Sequence, residues 1–195
     1  MFIRGLTPSV SLFFDGKLHL DLEVFELTRE GIVVGDPDHT GFVLQSGLER
    51  SKGYAVSFNT DPIPGRLTLF GGYGYTDGKV ERDLNANLVG KPLRGTPEHS
   101  FTVFAKYRVQ TGKLKGLGYG LGVQYSSKQY GPTSQNFSDP GYTVVNAQVN
   151  YAWRNYSLNL AANNLFDEYY WRPGGTNGNR AGDPLSFRGS IRARF

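Results

Sequence analysis

The sequence predicts an all-β chain, an antiparallel transmembrane β-barrel portion of about nine strands, and three observations predict it. Apolar and polar residues alternate strictly over runs of about ten residues, while helical periodicity is hard to find. The connections between those runs are short and long in turn. Mean hydropathy is −0.40, with 19% charged residues, and no stretch approaches the roughly 18 consecutive apolar residues of a spanning helix. A barrel strand turns only one side to lipid, so its average hydropathy resembles that of a soluble protein.

The rows can be read in order. Ser9 to Phe14 is a weak first strand. Leu18, Leu20, Leu22 and Val24 alternate with His19, Asp21 and Glu23. Tyr54, Val56 and Phe58 form the next apolar row, followed by Leu67, Leu69, Gly71, Tyr73 and Tyr75. Phe101, Val103, Ala105 and Tyr107 alternate with Thr102, Lys106 and Arg108. Leu117, Tyr119, Leu121, Val123 and Tyr125 alternate with Gly118, Gly120, Gly122 and Gln124. Val145, Ala147, Val149, Tyr151 and Trp153 then oppose Asn146, Gln148 and Asn150. Tyr156, Leu158, Leu160 and Ala162 make the eighth row, and Phe187, Gly189, Ile191, Ala193 and Phe195 the last. Residues 15–17, 61–65, 111–116 and 154–155 read as short turns. Residues 30–52, 78–98, 131–140 and 170–184 read as long loops. Tyr151, Trp153 and Tyr156 flank a short turn, as an interfacial aromatic girdle does. In hydrocarbon an unpaired backbone group costs several kcal/mol, so such strands must pair with one another. On the lipid face at mid-depth, an Arg costs about 2–4 kcal/mol. Arg188, Arg192 and Arg194 therefore belong on the lumen side or near an interface.

Other chemistries find little support. With no Cys, disulfides and thiolate metal sites are excluded. His19, His39 and His99 have no ligand spacing, so no metal is expected. The glycines from Gly116 to Gly122 alternate with Leu, Tyr and Val, and lack the strand–turn–helix setting of a phosphate loop. No nucleophile elbow is present, and the chain is not expected to be an enzyme. The net charge of +4 is spread out, without the basic, aromatic-laced run that tracks nucleic acid.

Seven runs, in order, resemble the C-terminal part of TonB-dependent outer-membrane receptors of the ferric-siderophore type. They are Leu12-Phe13-Phe14-Asp15-Gly16-Lys17-Leu18 with Val24-Phe25-Glu26-Leu27, Glu49-Arg50-Ser51-Lys52-Gly53-Tyr54, Gly72-Tyr73-Gly74-Tyr75-Thr76-Asp77, and Gly90-Lys91-Pro92-Leu93 with Pro97-Glu98-His99-Ser100. Next come Gly116-Leu117-Gly118-Tyr119-Gly120-Leu121-Gly122-Val123 and Asn163-Asn164-Leu165-Phe166-Asp167-Glu168-Tyr169-Tyr170, then the terminal Phe195. The resemblance covers residues 1–195 as C-terminal barrel, and the plug domain and TonB box are not among them. It implies a parent barrel of about 22 strands. It further implies uptake of a ferric siderophore as transported ligand with no resident cofactor, and a C-terminus on the periplasmic side. The implied partners are outer-membrane lipid, the TonB complex acting through the N-terminal part, and the barrel-assembly machinery reading Phe195. Residues 1–8 do not match the expected strand, and the N-terminus does not read as an export signal, so Met1 is not expected to be a natural start. The segment alone is not expected to transport.

For ligand contact the external loop offers Tyr169, Tyr170, Trp171, Arg172 and Arg180, flat rings and guanidinium donors suited to an anionic aromatic chelate. Girdle aromatics plus loop arginines are the competing account of the same residues. Two other architectures stay open here: a complete eight-stranded barrel with a structural or adhesive role, and a soluble β-sandwich binding module.

Overall fold

The computed structural model describes residues 1–36, 38–130, 138–173 and 179–194. Its strands are β1 (Phe2–Leu6), β2 (Ser9–Phe14), β3 (Leu18–Gly35), β4 (Val43–Ile63), β5 (Leu67–Arg82), β6 (His99–Arg108) and β7 (Leu117–Ser126). They continue as β8 (Gln129–Tyr130), β9 (Ser138–Asp139), β10 (Tyr142–Trp153), β11 (Tyr156–Asn163), β12 (Trp171–Pro173), β13 (Asn179–Ala181) and β14 (Ser186–Ala193). The helical content among the described residues is one 3-10 turn, Ala86–Leu88, whose first free N–H groups are met by the Asn85 side chain accepting from Asn87 N. The main sheet is antiparallel throughout and runs β1/β2–β3–β4–β5–β6–β7–β10–β11–β14.

β1 and β2 are one edge strand in two pieces. Leu6 faces Glu26 and Ser9 faces Glu23, so the register is unbroken between them. Pro8 accepts a bond from Val24 N–H (3.1 Å) but has no N–H to return, and the ladder lapses there. This corrects the expectation for residues 1–8, which pair with β3 from Phe2 onward. Counted this way the sheet has nine long strands, as the rows indicated. It is an open ladder: among the described residues β14 pairs with β11 and nothing else. Neither a closed eight-stranded barrel nor a sandwich is formed. The terminal Phe195 and residues 131–137 and 174–178, which belong to two of the expected long loops, lie outside the described residues.

The register puts each alternating row on one continuous face. Leu20, Phe58, Gly71, Val103, Val123, Val145 and their row neighbours are linked partner to partner across the sheet. Beyond β10 the row continues through Val149, Leu160 and Gly189. This face is not covered: Leu121 is 49% exposed, Leu160 53% and Ile191 76%. In water such a patch would be untenable for a monomer; against acyl chains it is the stable arrangement. The opposite face carries His19, Asp21, Ser57, Lys106, Asn146, Gln148, Asn150, Arg188 and Arg192, which sets the two arginines of β14 away from lipid. Gly118, Gly120 and Gly122 lie on that polar face by strand parity, and neighbouring side chains lean over them. A Cβ on Gly118 would meet Asn150 Oδ1 at 2.4 Å, and one on Gly120 would meet Gln148 at 2.6 Å.

Aromatic rings bound the apolar band at both ends. At the long-loop end Tyr54 packs on Tyr75 (5.4 Å), Tyr75 on His99 (5.2 Å) and Phe101 on Tyr125 (5.2 Å), with Tyr73 Oη 2.7 Å from His99 Nδ1. At the short-turn end Trp153 stacks on Tyr156 (6.3 Å).

The strands do not all stop at those rings. β3, β4 and β5 continue well past them, to 18, 21 and 16 residues, and replace much of the long connections read from the sequence at 30–52 and 78–98. Ion pairs lace the extension, across strands from Arg50 to Glu26 (2.6 Å), Arg29 to Glu49 (3.1 Å) and Lys52 to Asp77 (3.9 Å), and along β5 from Lys79 to Asp77 (3.0 Å). A register shift between Glu30 and Ile32, beside Gly31 at φ 70°, bends it.

Candidate ligand-facing site

On the polar face, at the long-loop end, lies a concavity of about 880 Å³. Its floor is strand: Ser57, Gly72, Gly74, Ser100, Thr102, Gln124 and Ser126. Gly95 and Pro97 of the β5–β6 connection form one side, and Gln129, Tyr142, Arg172 and Arg180 close the other. The glycines and small hydroxyl residues of the floor leave room over the backbone, and the amides, phenol and guanidinium groups reach into that room.

Two hairpins bring the walls together. β12–β13 sets Trp171 opposite Ala181, Arg172 opposite Arg180 and Pro173 opposite Asn179. β8–β9 sets Gln129 opposite Asp139, and Gln129 Nε2 donates to Ser126 Oγ (3.1 Å). Asn179 Nδ2 donates to Asp139 Oδ2, so one hairpin is tied to the other. Burial pushes the Asp139 carboxyl above its ordinary value, the bond from Asn179 acting in the opposite sense. Asp139 is 3% exposed, and its Oδ1 has no hydrogen-bond partner among the described residues.

Asn164 anchors the connection that leads into β12. Among the described residues it is the most deeply buried side chain, and it adopts φ 51°, a left-handed value that Asn tolerates. Its Nδ2 donates to the carbonyls of Glu168 (2.9 Å) and Asp183 (3.0 Å), its Oδ1 accepts from Glu168 N–H (2.9 Å), and its own N–H donates to Asn146 Oδ1 (3.0 Å). Asp167 Oδ1 accepts from Leu185 N–H (2.8 Å). The run Asn163 to Asp167 is thus a clasp that sets where the loop leaves β11 and where it re-enters β14.

The five residues singled out for ligand contact have different surroundings. Tyr170 is buried at 4% exposure, with its ring 4.4 Å from that of Tyr142. Gly182 lies flat against it, and a Cβ there would come within 2.2 Å of the ring. Arg172 donates to the Tyr170 hydroxyl (2.5 Å) and pairs with Asp183 (3.2 Å). The Tyr170 bond comes first among the influences that hold the Arg172 guanidinium above its usual value, with Asp183 adding to it. Arg172 and Arg180 both line the concavity. Tyr169 is 72% exposed and meets Trp171 edge-on at 5.5 Å; neither lines the concavity. The sequence reading passed over Gln129, Tyr142, Gln124, Thr102 and Ser57. The even-numbered row opposite the apolar face would have found Gln124 and Thr102; Gln129 and Tyr142 required the loop geometry.

The chain matches the family model described as TonB dependent receptor-like, beta-barrel over residues 5–165. The chain belongs to the TonB-dependent receptor β-barrel family. It is 31% identical to the ferric-pyoverdine M114 receptor PbuA of Pseudomonas sp. strain M114, over 94% of this chain and 23% of that protein. It is 30% identical to the ferrichrome outer membrane transporter/phage receptor of Escherichia coli K12, over 75% of this chain and 20% of that one. Among solved structures, the ferric-catecholate import receptor Fiu of E. coli K12 aligns with 99% of this chain and 28% of its own, at 25% identity and TM-score 0.76. The pyoverdine receptor FpvA of Pseudomonas aeruginosa PAO1 aligns over 99% of this chain and 30% of its own at 21% identity, with a TM-score of 0.80, which speaks to the fold alone. The chain therefore spans about a quarter of the length of these relatives and is part of a barrel. These relatives are transport receptors by name, and the outer membrane is the location their names support.

Proposed function

We propose that this chain forms the C-terminal barrel wall of a TonB-dependent outer-membrane uptake receptor for ferric siderophores, with Arg172 and Arg180 facing the anionic ligand. The observation that carries the reading is the placing of two guanidinium groups opposite one another in a hairpin beside an 880 Å³ concavity. Like charges in directly opposed positions are unfavourable, and Asp183 lies beside one of them only. An anion in the concavity relieves the repulsion and accepts forked hydrogen bonds. Tyr170 supports Arg172 from below, while Tyr169 and Trp171 serve as an outer aromatic ledge. On this reading the short turns and the C-terminus face the periplasm, Phe195 is the signal for the insertion machinery, TonB acts through a plug that this segment does not contain, and the segment alone does not transport. No resident metal or cofactor takes part, and no catalysis.

The test is a graft. The 195-residue segment replaces the matching segment of the PbuA receptor, and binding of ferric pyoverdine, ferrichrome and a ferric catecholate is followed by fluorescence quenching. One of these classes is expected to bind, and Arg172→Gln with Arg180→Gln to weaken it by about tenfold or more, as loss of charge-assisted bonds implies. Binding unchanged in the double variant would remove the two arginines from the site.

A further inference from the structure

The rim that carries the short turns holds Asp15 and Asp61 in its first two turns, and from the β6–β7 turn onward it is basic with no acid to balance it. No carboxylate side chain occurs between Glu98 and Asp139, between Asp139 and Asp167, or after Asp183. Those stretches supply the rim with Lys106, Arg108, Lys113, Lys115, Arg154, Arg192 and Arg194. Between the β6–β7 turn and the β10–β11 turn the rim is hollowed into a cavity of about 580 Å³, lined by Arg108, Gln110, Lys115, Trp153 and Arg154 among others.

Backbone contacts hold the two turns against each other. Ala152 N–H donates to Gly116 O (3.1 Å), and a Cβ on Gly116 would lie 2.3 Å from Ala152 O, so only glycine permits this approach. Gln110 Nε2 donates to Gly65 O (2.6 Å) and ties the β6–β7 turn to the next one along. Arg154 sits at the tip of a two-residue turn at φ 51°, its guanidinium carbon 5.1 Å from the centre of the Trp153 ring. Among the described residues none of Arg108, Lys115 and Arg154 is in an ion pair. Trp153 is 53% exposed on the lipid row and stacks on Tyr156, the pair that marks the depth where acyl chain gives way to head group.

We propose that this cavity binds the phosphate head group of an anionic phospholipid. Two guanidinium forks and an ammonium match phosphate oxygens in geometry and charge. The apolar row beside them, Leu117, Tyr151 and Trp153, is where the same molecule's acyl chains would lie. Free phosphate would gain nothing from that row, whereas a lipid uses both parts of the site. In the orientation proposed above, this is the periplasmic leaflet. The inference needs the membrane-embedded fold but not the siderophore reading.

The experiment uses the PbuA receptor carrying this segment as a graft, so that the barrel is closed, held in micelles doped with equal phosphatidylglycerol and phosphatidylcholine, followed by native mass spectrometry of the lipids retained, with folding monitored by circular dichroism. The wild type is expected to retain phosphatidylglycerol preferentially. The preference is expected to fall by about fivefold for each of Arg108→Gln, Lys115→Gln and Arg154→Gln. Arg188→Gln, on the lumen wall, is expected to leave it intact. Equal retention of the two lipids by the wild type, or a preference unchanged in the triple variant, overturns the proposal. So does displacement of the lipid by millimolar inorganic phosphate, which would assign the site to a free anion, or by an acidic peptide, which would assign it to a protein partner. Lipid selectivity without siderophore binding would leave this site standing and remove the transport reading instead.

Discussion

The first five strand segments and the later strands solve the same problem differently at the edge of the apolar band. β3, β4 and β5 run on past the aromatic rings as a ribbon held by its backbone ladder and by ion pairs of both signs. β6, β7, β10 and β11 are shorter, and above them the chain folds back through the small hairpins β8–β9 and β12–β13. Charge accounts for the difference. Of the 17 carboxylates four lie after Glu98, namely Asp139, Asp167, Glu168 and Asp183, whereas cations are spread evenly. Where both signs alternate on neighbouring strands, a strand can continue into water with its side chains paired. Where acids are scarce, extension would line up like charges, which is unfavourable. Apart from Arg172, which pairs with Asp183, the later cations end up without a carboxylate partner among the described residues, on the polar face, in the hairpin and at the rim, where an anion can use them.

The largest effect expected is on the band both regions share. Leu121→Arg places a charge on the lipid face of β7 and is expected to cost the grafted barrel about 2–4 kcal/mol at mid-depth, read as impaired insertion into vesicles scored by protease protection. Gln148→Arg, on the polar face of the adjoining strand, is expected to insert normally. If both insert equally well, the assignment of faces fails.

Next is the clasp. Asn164→Ala strands three backbone groups and is expected to destabilise the β11–β14 connection by about 2 kcal/mol, read as faster proteolysis between Asn164 and Ser186 with the sheet's circular dichroism unchanged. A proteolysis rate equal to wild type would mean that the hairpins, not Asn164, set the loop.

The tie between the two hairpins should depend on pH. Burial raises the Asp139 carboxyl, so the folded loops bind a proton that the opened loops release. That stabilisation is complete below the carboxylate's ordinary value and is lost as pH rises through the folded value. Hydrogen-exchange protection in β12–β13, taken relative to the intrinsic base-catalysed rate, should therefore fall over that window in the wild type and stay flat across it in Asp139→Asn. The opposite slope would contradict the burial argument.

The smallest effect belongs to the ribbon. Arg50→Met removes an exposed pair with Glu26 and is expected to cost about 0.5 kcal/mol in a urea titration, fading in high salt. A loss several times larger would show that the ion pairs, rather than the ladder, hold the extension.

What could be read in advance follows from what alternation reports. The rows from Leu18 to Val24 and from Leu117 to Tyr125 gave away strand and face, and the structure supplied the register, in which a one-residue slip would put Lys106 or Gln148 into lipid. The same signal understated β3 and β4: apolar alternation stops at Val24 and Tyr54, where lipid stops, and the strands continue on charges. It also missed Phe2–Leu6, since the proline after it reads as a break although the pairing resumes in register. For the candidate site, composition drew attention to Arg172 and Arg180 but could not tell Tyr170, sealed under Gly182, from Tyr169 beside it in solvent.

By itself, then, the sequence determined the class of fold, the two faces, the family likeness and the imbalance of charge, all of them properties of residues near in sequence and repeated every second position. Only the tertiary structure decided that Gln129 and Tyr142 join Arg172 and Arg180 in one concavity, and that Arg108, Lys115 and Arg154 share another. Those groupings bring together residues from different turns and hairpins, and they depend on clasps such as Asn164 and close approaches such as Gly116, whose partners lie far along the chain. Local periodicity carries no record of such distant pairings, because each is set by which strands become neighbours.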